Sequence, residues 1–246
     1  MAALALLEDI ANRRIRRERE FRDQTDLLAH DDDWLMSRFR LPKAILLELC
    51  TELGPALQRE TVRNHGLPVP LQVRTTLGFL KTGAFQRELA DQSGISQPSL
   101  SRAMPAVWNG IIRMSPRYIR FPFTVGEKRA KQAFWAKYGF PGVLGAIDCT
   151  HVQLRPPSEN TLIYINRKGT HSINIQVICD ATCKITHVFV NYPGSNRDSF
   201  ILANSAIPAI FEGNPPLDGW LLGDNSYPLK TWLMTPFIMP ATENAI

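Results

Sequence analysis

The sequence predicts an α/β protein in which a helical N-terminal region precedes a mixed-sheet core. Three observations carry that prediction. Before residue 122, apolar residues recur at helical spacing between Pro- and Gly-marked stops. Beyond it, two β-branched runs, 172–179 and 185–191, flank the short separator Asp180-Ala181-Thr182-Cys183-Lys184. Two further apolar runs, 142–147 and 220–223, each end at an aspartate.

Element by element, residues 34–57 read as one amphipathic helix. Leu46, Leu47, Cys50 and Leu53 form its apolar face, Pro42 lies near its start, and Gly54-Pro55 is a stop signal. After the Pro-rich loop 66–70, residues 71–80 resume as a helix with Val73, Leu77, Phe79 and Leu80 inward, and Lys81 and Gly83 suit its C-terminal end. A short helix then ends at Gly94. Ser96 can cap a new one, Pro98 fits its first turn, and Leu100, Met104 and Val107 face inward. This is helix-turn-helix grammar, and it is equally the grammar of an ordinary helical hairpin. In the first reading Gln97, Ser99, Ser101 and Arg102 face a DNA major groove, with Arg113, Arg117 and Arg120 downstream as a phosphate track.

Past Phe121-Pro122-Phe123 the pattern changes to strands. Residues 142–147 run into Asp148, and 149–154 continue them. Runs 172–179 and 185–191 form an antiparallel hairpin. A helix over 198–210 precedes the run 220–223 and Asp224. The expected organisation is a basic arm over 1–33, a helical domain over 34–122 and a catalytic-type core over 123–246.

Composition sets the bounds. Of 246 residues, 28 are Lys or Arg and 23 Asp or Glu, a net charge of +5, and 44% are hydrophobic. That excludes global disorder, collagen and a disulfide scaffold. Residues 1–122 carry 18 basic and 14 acidic side chains against 10 and 9 in the remainder, so the excess charge lies in the first half. The densest part, 10–22, reads as a solvated helix or as a phosphate-contacting or nuclear-targeting cluster. The apolar run 2–7 is cut by Glu8 and Asp9, and no stretch approaches the roughly 18 residues of a membrane span, so neither a signal peptide nor a membrane anchor is expected. Cys50, Cys149, Cys179 and Cys183 form no Cys-x-x-Cys pair, the pattern of a reduced, intracellular protein.

Three acids are the chemical candidates. Asp148 and Asp224 each follow a buried-looking strand, and Asp198 follows the third strand across Pro193-Gly194-Ser195-Asn196-Arg197. Carboxylates gathered at strand ends repel one another unless a hard cation neutralises them, and oxygen ligands favour Mg²⁺ or Mn²⁺. Each acid also has a local reading. Asp198 can cap its helix, Asp224 can close a turn with Asn225, and Asp148 can pair locally.

The segments Gly145-Ala146-Ile147-Asp148-Cys149-Thr150-His151, Tyr164-Ile165-Asn166-Arg167-Lys168-Gly169-Thr170-His171-Ser172, Pro193-Gly194-Ser195-Asn196-Arg197-Asp198-Ser199 and Leu222-Gly223-Asp224-Asn225-Ser226-Tyr227-Pro228-Leu229 resemble, in order, the signature of Harbinger-type DDE transposases. Gly94-Ile95-Ser96-Gln97-Pro98-Ser99-Leu100-Ser101-Arg102 is similar to that family's helix-turn-helix. The resemblance implies a ribonuclease H-like core that cuts DNA phosphodiester bonds by two-metal phosphoryl transfer, with Asp148, Asp198 and Asp224 as metal ligands and Asp148 bridging both ions. Arg167 and Lys168 are then candidates to hold a DNA phosphate, and His151 and His171 to play structural roles. The same resemblance implies a separate Myb-like protein partner and residence in nucleus and cytoplasm.

This chain departs from the family pattern in two places. Arg197 stands where His is usual, and Asn225-Ser226 where Ser-Gly is usual. The family continues into a segment bearing a final glutamate, so the core is expected to be truncated at its C-terminus, with Glu243 in the preceding linker rather than in the site. A binding module that has lost cutting is the competing expectation.

Overall fold

The computed structural model describes residues 30–58, 66–122 and 125–237. The basic cluster 10–22, the run 2–7 and Glu243 lie outside them. The chain forms two compact units, residues 1–114 and 115–246, and no helix among the described residues is long and apolar enough to cross a membrane.

In the first unit, α1 (Asp32–Phe39) starts where the Asp31 carboxylate accepts from the Trp34 amide at 2.8 Å and ends where Arg40 turns left-handed at φ 60°. Helix α2 (Lys43–Leu57) follows, so the expected single helix over 34–57 is two. Its predicted stop is no stop. The chain stays helical through Gly54-Pro55 to Leu57, because a proline in the last turn removes one hydrogen bond while Leu53 and Leu57 beside it are buried. Helix α3 (Val69–Thr82) ends as read, with Gly83 at φ 62° donating its amide to Phe79 O at 2.8 Å. Leu47 and Leu80, expected inward, are exposed.

Helix α4 (Gln86–Gln92) and the long α5 (Gln97–Tyr118) are joined through Gly94 at φ 67°, a conformation open to glycine at little cost. The Ser96 hydroxyl accepts from the Ser99 amide at 3.3 Å. Leu100, Met104 and Val107 are buried as their spacing requires. Leu100 and Met104 pack with Leu89 and Ala90, and Val107 with Leu53, Leu57 and Val73.

The second unit contains a helix that periodicity did not indicate, α6 (Val125–Tyr138). It packs on β1 (Val143–Gln153), which is one continuous strand. Strands β2 (Ser172–Cys179) and β3 (Ile185–Pro193) form the expected antiparallel hairpin. The predicted helix 198–210 is two, α7 (Asp198–Ala203) and α8 (Ile207–Phe211). The Ser205 hydroxyl restarts the chain by accepting from the Ile207 amide at 3.2 Å. Short strands β4 (Trp220–Leu222) and β5 (Leu233–Met234) complete a mixed five-stranded sheet in the order β3-β2-β1-β4-β5. Leu144, Ile147, Ile178, Leu221 and Leu233 from the sheet meet Leu202, Ile207 and Phe211 from α7 and α8 in the main core. Asp148, expected at a strand end, is instead the sixth of the 11 residues of β1, because pairing with β2 carries the strand on to Gln153.

Candidate functional site

Asp148 and Asp224 owe their placement to strand register. Strand β1 pairs parallel with β4, Ala146 opposite Leu222, and each acid lies two residues further on. Both are exposed. The Asp148 carboxylate accepts from the Cys149 amide at 2.7 Å. Asp224 closes a tight turn, accepting from the Ser226 amide at 3.0 Å and from the Ser226 hydroxyl. The local reading of Asp224 therefore holds, with Ser226 rather than Asn225 as the partner.

Asp198 departs from its local reading. Arg197, exposed and extended, occupies the N-cap of α7, and Asp198 is the first helical residue. Its carboxylate accepts from the Asn174 side-chain amide at 2.9 Å, and the same Nδ2 donates to Asn196 O at 3.1 Å. Asn174 is 1% exposed, and its Oδ1 has no hydrogen-bond partner among the described residues. One β2 side chain thus ties the start of α7 to the sheet.

The Tyr227 hydroxyl donates to Cys149 Sγ at 3.2 Å. Burial pushes the Cys149 thiol up to about 12; the Tyr227 hydrogen bond opposes this, and the Asp198 and Asp148 carboxylates reinforce it. Burial raises the Tyr227 phenol too, with Cys149, Asp198 and Asp148 adding to the shift. With both groups pushed upward, the thiol–phenol pair stays neutral near pH 7.

The reactivity of the thiols tests this environment. Alkylation requires the thiolate. At pH 8, iodoacetamide followed by peptide mass mapping should label exposed Cys183 first and Cys149 slowest; equal rates at the two would contradict the buried thiol–phenol pair.

Along β2 the polar residues point inward. Ser172, Asn174 and Gln176 are each at most 1% exposed, and Gln176 and Asn174 stand opposite Cys149 and His151. His151 Nδ1 lies 3.0 Å from Ser172 Oγ, which also accepts from Asn166 Nδ2 at 3.0 Å. Asn166 Oδ1 accepts from the Lys168 and Thr170 amides, building the turn on which Arg167 and Lys168 are exposed. Neither Asn174 nor Tyr227 was a sequence candidate.

In the first unit Gln97 and Arg102 are exposed at the start of α5. Gln97 Nε2 donates to Gln86 Oε1 at 3.0 Å, while Ser99 is half-buried with its Oγ 2.8 Å from Ser96 Oγ.

Residues 147–245 match the family of DDE superfamily endonucleases, a stretch that contains all three acids. The human protein named "Putative nuclease HARBI1" is 39% identical over 212 residues, covering 86% of this chain and 61% of that protein. The chain belongs to the Harbinger-type DDE transposase superfamily. The Xenopus laevis protein of the same name is 35% identical over 214 residues, covering 87% of this chain and 62% of that protein. An Arabidopsis thaliana relative, "Protein ALP1-like", is 24% identical over 205 residues, covering 73% of this chain and 49% of that protein. This chain spans about three-fifths of the length of the vertebrate relatives. No solved structure is significantly similar to it.

The mixed sheet flanked by helices is consistent with a DDE nuclease fold. The superfamily is generally dependent on divalent metal. Among the described residues no three His, Cys, Asp or Glu side chains are grouped to hold an ion. The donor chemistry nevertheless suits a hard cation. The unpartnered Asn174 Oδ1 is a neutral oxygen in the side chain that holds the Asp198 carboxylate. The Asp224 carboxylate is held by Ser226.

Proposed function

We propose that this chain is the cutting part of a transposase-derived, divalent-metal-dependent DNA endonuclease, with Asp148, Asp198 and Asp224 as the residues that hold the cation. The observation that supports this most is the Asn174–Asp198 contact, which fixes at the sheet an acid that would otherwise lie free on a helix start. A bound cation would neutralise the acids and activate a water for attack on phosphorus. The chain's own residues set the stage. Asn174 orients Asp198, and Asp148 and Asp224 each follow by two residues the paired Ala146 and Leu222. The exposure of Asp148 and Asp224 leaves both carboxylates open to a DNA backbone.

In this reading Arg167 and Lys168, on their exposed turn, hold phosphate near the acids. Gln97, Ser99 and Arg102 at the start of α5 read DNA as the second helix of a helix-turn-helix, and the domain boundaries follow the order arm, helical domain, core. A Myb-like partner and a nuclear and cytoplasmic location rest on the resemblance alone. A second reading, a DNA- or protein-binding module without cutting, is favoured by the turn that occupies Asp224.

Calorimetric titration with Mn²⁺ separates the two. The catalytic reading expects binding by the unaltered chain, at least tenfold weaker binding by Asp148→Ala and Asp198→Asn, and metal-dependent nicking of supercoiled DNA that both substitutions abolish. Absence of Mn²⁺ binding by a folded chain, or equal binding by all three proteins, overturns it in favour of the module.

A further inference from the structure

At the β2–β3 turn the second unit forms a groove of about 800 Å³. Its rim carries Arg117, Arg120, Arg129 and Lys184, all exposed, against one carboxylate, Asp180. That carboxylate is engaged inside its own turn, accepting from the Thr182 amide at 2.8 Å, the Thr182 hydroxyl at 2.7 Å and the Lys184 amide at 3.0 Å. The floor is apolar, built on Phe121 and Ala130, which are 7% and 9% exposed. Tyr118 stands half-exposed on the wall with the Arg117 guanidinium 6.0 Å from its ring centroid.

Four cations and one carboxylate line the groove, in a unit, residues 115–246, that carries 12 basic and nine acidic side chains. Three of the four are arginines, whose planar forks match phosphate oxygens. A cationic rim over an apolar floor with an exposed aromatic is the combination that tracks a nucleic-acid strand, phosphates at the rim and sugar or base edges below. An acidic peptide would find the same charge but would leave the apolar floor and the ring unused.

We infer that this groove is a second nucleic-acid contact, binding backbone phosphates of DNA that extends from the acid end of the sheet. The inference rests on the DNA-cutting reading for its choice of ligand and on the groove's own charge for its existence. Register sets the spacing. Asp180 is six residues along β2 from Asn174, and at about 3.3 Å per strand residue that is roughly 20 Å. DNA rises about 3.4 Å per base pair along one strand, so the groove meets phosphates about six nucleotides from those at Asp198.

The test measures fluorescence anisotropy of the full chain on a mixed-sequence 20-base-pair duplex (about two helical turns) across a salt series, with Mn²⁺ calorimetry alongside. The variant is Arg117→Gln, Arg120→Gln, Arg129→Gln and Lys184→Gln together. The control is Arg40→Gln, Lys81→Gln and Lys128→Gln, exposed cations outside the groove. Each lost phosphate contact lowers the salt slope by about 0.9, so the groove variant should lose about 2–4 in slope and at least tenfold in affinity at low salt, with Mn²⁺ binding intact and the control near the unaltered chain. Equal slopes for variant and control overturn the inference, as does displacement of the duplex by a polyglutamate peptide as effective as unlabelled duplex. If Mn²⁺ binding fails in the unaltered chain while the groove variant still loses DNA affinity, the groove stands and the catalytic reading falls. If Mn²⁺ binds and no DNA does, the groove inference falls by itself.

Discussion

Gly194→Ala will destabilise the second unit by about 2–3 kcal/mol or more, the cost of forcing an extra carbon into a closed backbone contact. The Gly194 amide donates to Ser172 O at 2.8 Å, where the turn after β3 closes onto the start of β2. A Cβ there would stand 2.8 Å from Tyr164 O and 2.9 Å from Ser172 O, and against the Ser172 hydroxyl. Two of these three are main-chain atoms, so no rotamer change relieves the clash, and either the turn or the strand must move. The comparison is Gly126→Ala in α6, whose Cβ would meet Pro122 Cβ at an ordinary 3.4 Å. There the helix preference of alanine should stabilise by about 0.5–1 kcal/mol. Urea unfolding followed by tryptophan fluorescence checks both. The Gly194 variant should lower the midpoint with its slope preserved, and the Gly126 variant should not lower it. Equal midpoints would mean that the 194 turn yields freely, and with it the placement of Asp198.

The physical reasons for what the sequence concealed are particular. The β2–β3 hairpin was legible because its β-branched runs alternate and its separator is short, and the end of α3 was legible because Gly83 is placed where a left-handed cap is needed. Helix α6 was not. It carries Glu127, Lys128, Arg129, Lys131 and Lys137, and among its described side chains only Ala130 and Phe134 are buried, so its apolar stripe is too thin to show a period. Strand β5 spans two residues and exists through its pairing with β4. The acids at 148, 198 and 224 stood out as strand-end carboxylates and as family motif residues. Their supporting shell did not, because Ser172, Asn174 and Gln176 occupy the alternate positions of β2 that face inward, while Ile173, Ile175 and Val177 lie on the more open side. A strand whose polar alternation is turned inward is the signal that was available in the run Ser-Ile-Asn-Ile-Gln, and it becomes readable only once the partner strand is known to place Cys149 and His151 opposite.

Asn174 gives that shell its sharpest test. Truncation to alanine leaves Asp198 Oδ1 and Asn196 O without their shared donor, so Asn174→Ala should cost about 1–3 kcal/mol in stability. The larger effect is expected on Mn²⁺ affinity and on metal-dependent nicking, about 10–100-fold, as when a partner that orients a metal ligand is removed. Gln176→Met supplies the contrast two residues away on the same buried face. Neither amide atom of Gln176 has a hydrogen-bond partner among the described residues, so replacing it by an apolar side chain of similar length removes an unpaired buried dipole. Stability should hold or rise by about 1 kcal/mol, with Mn²⁺ affinity unchanged. A purely structural Asn174 would lower the unfolding midpoint and leave Mn²⁺ affinity of the folded fraction intact. A positioning Asn174 lowers affinity even in buffers where the variant is fully folded, and a carboxylate in its place, Asn174→Asp, would not restore Asp198, because it offers an acceptor and a like charge where a donor is required.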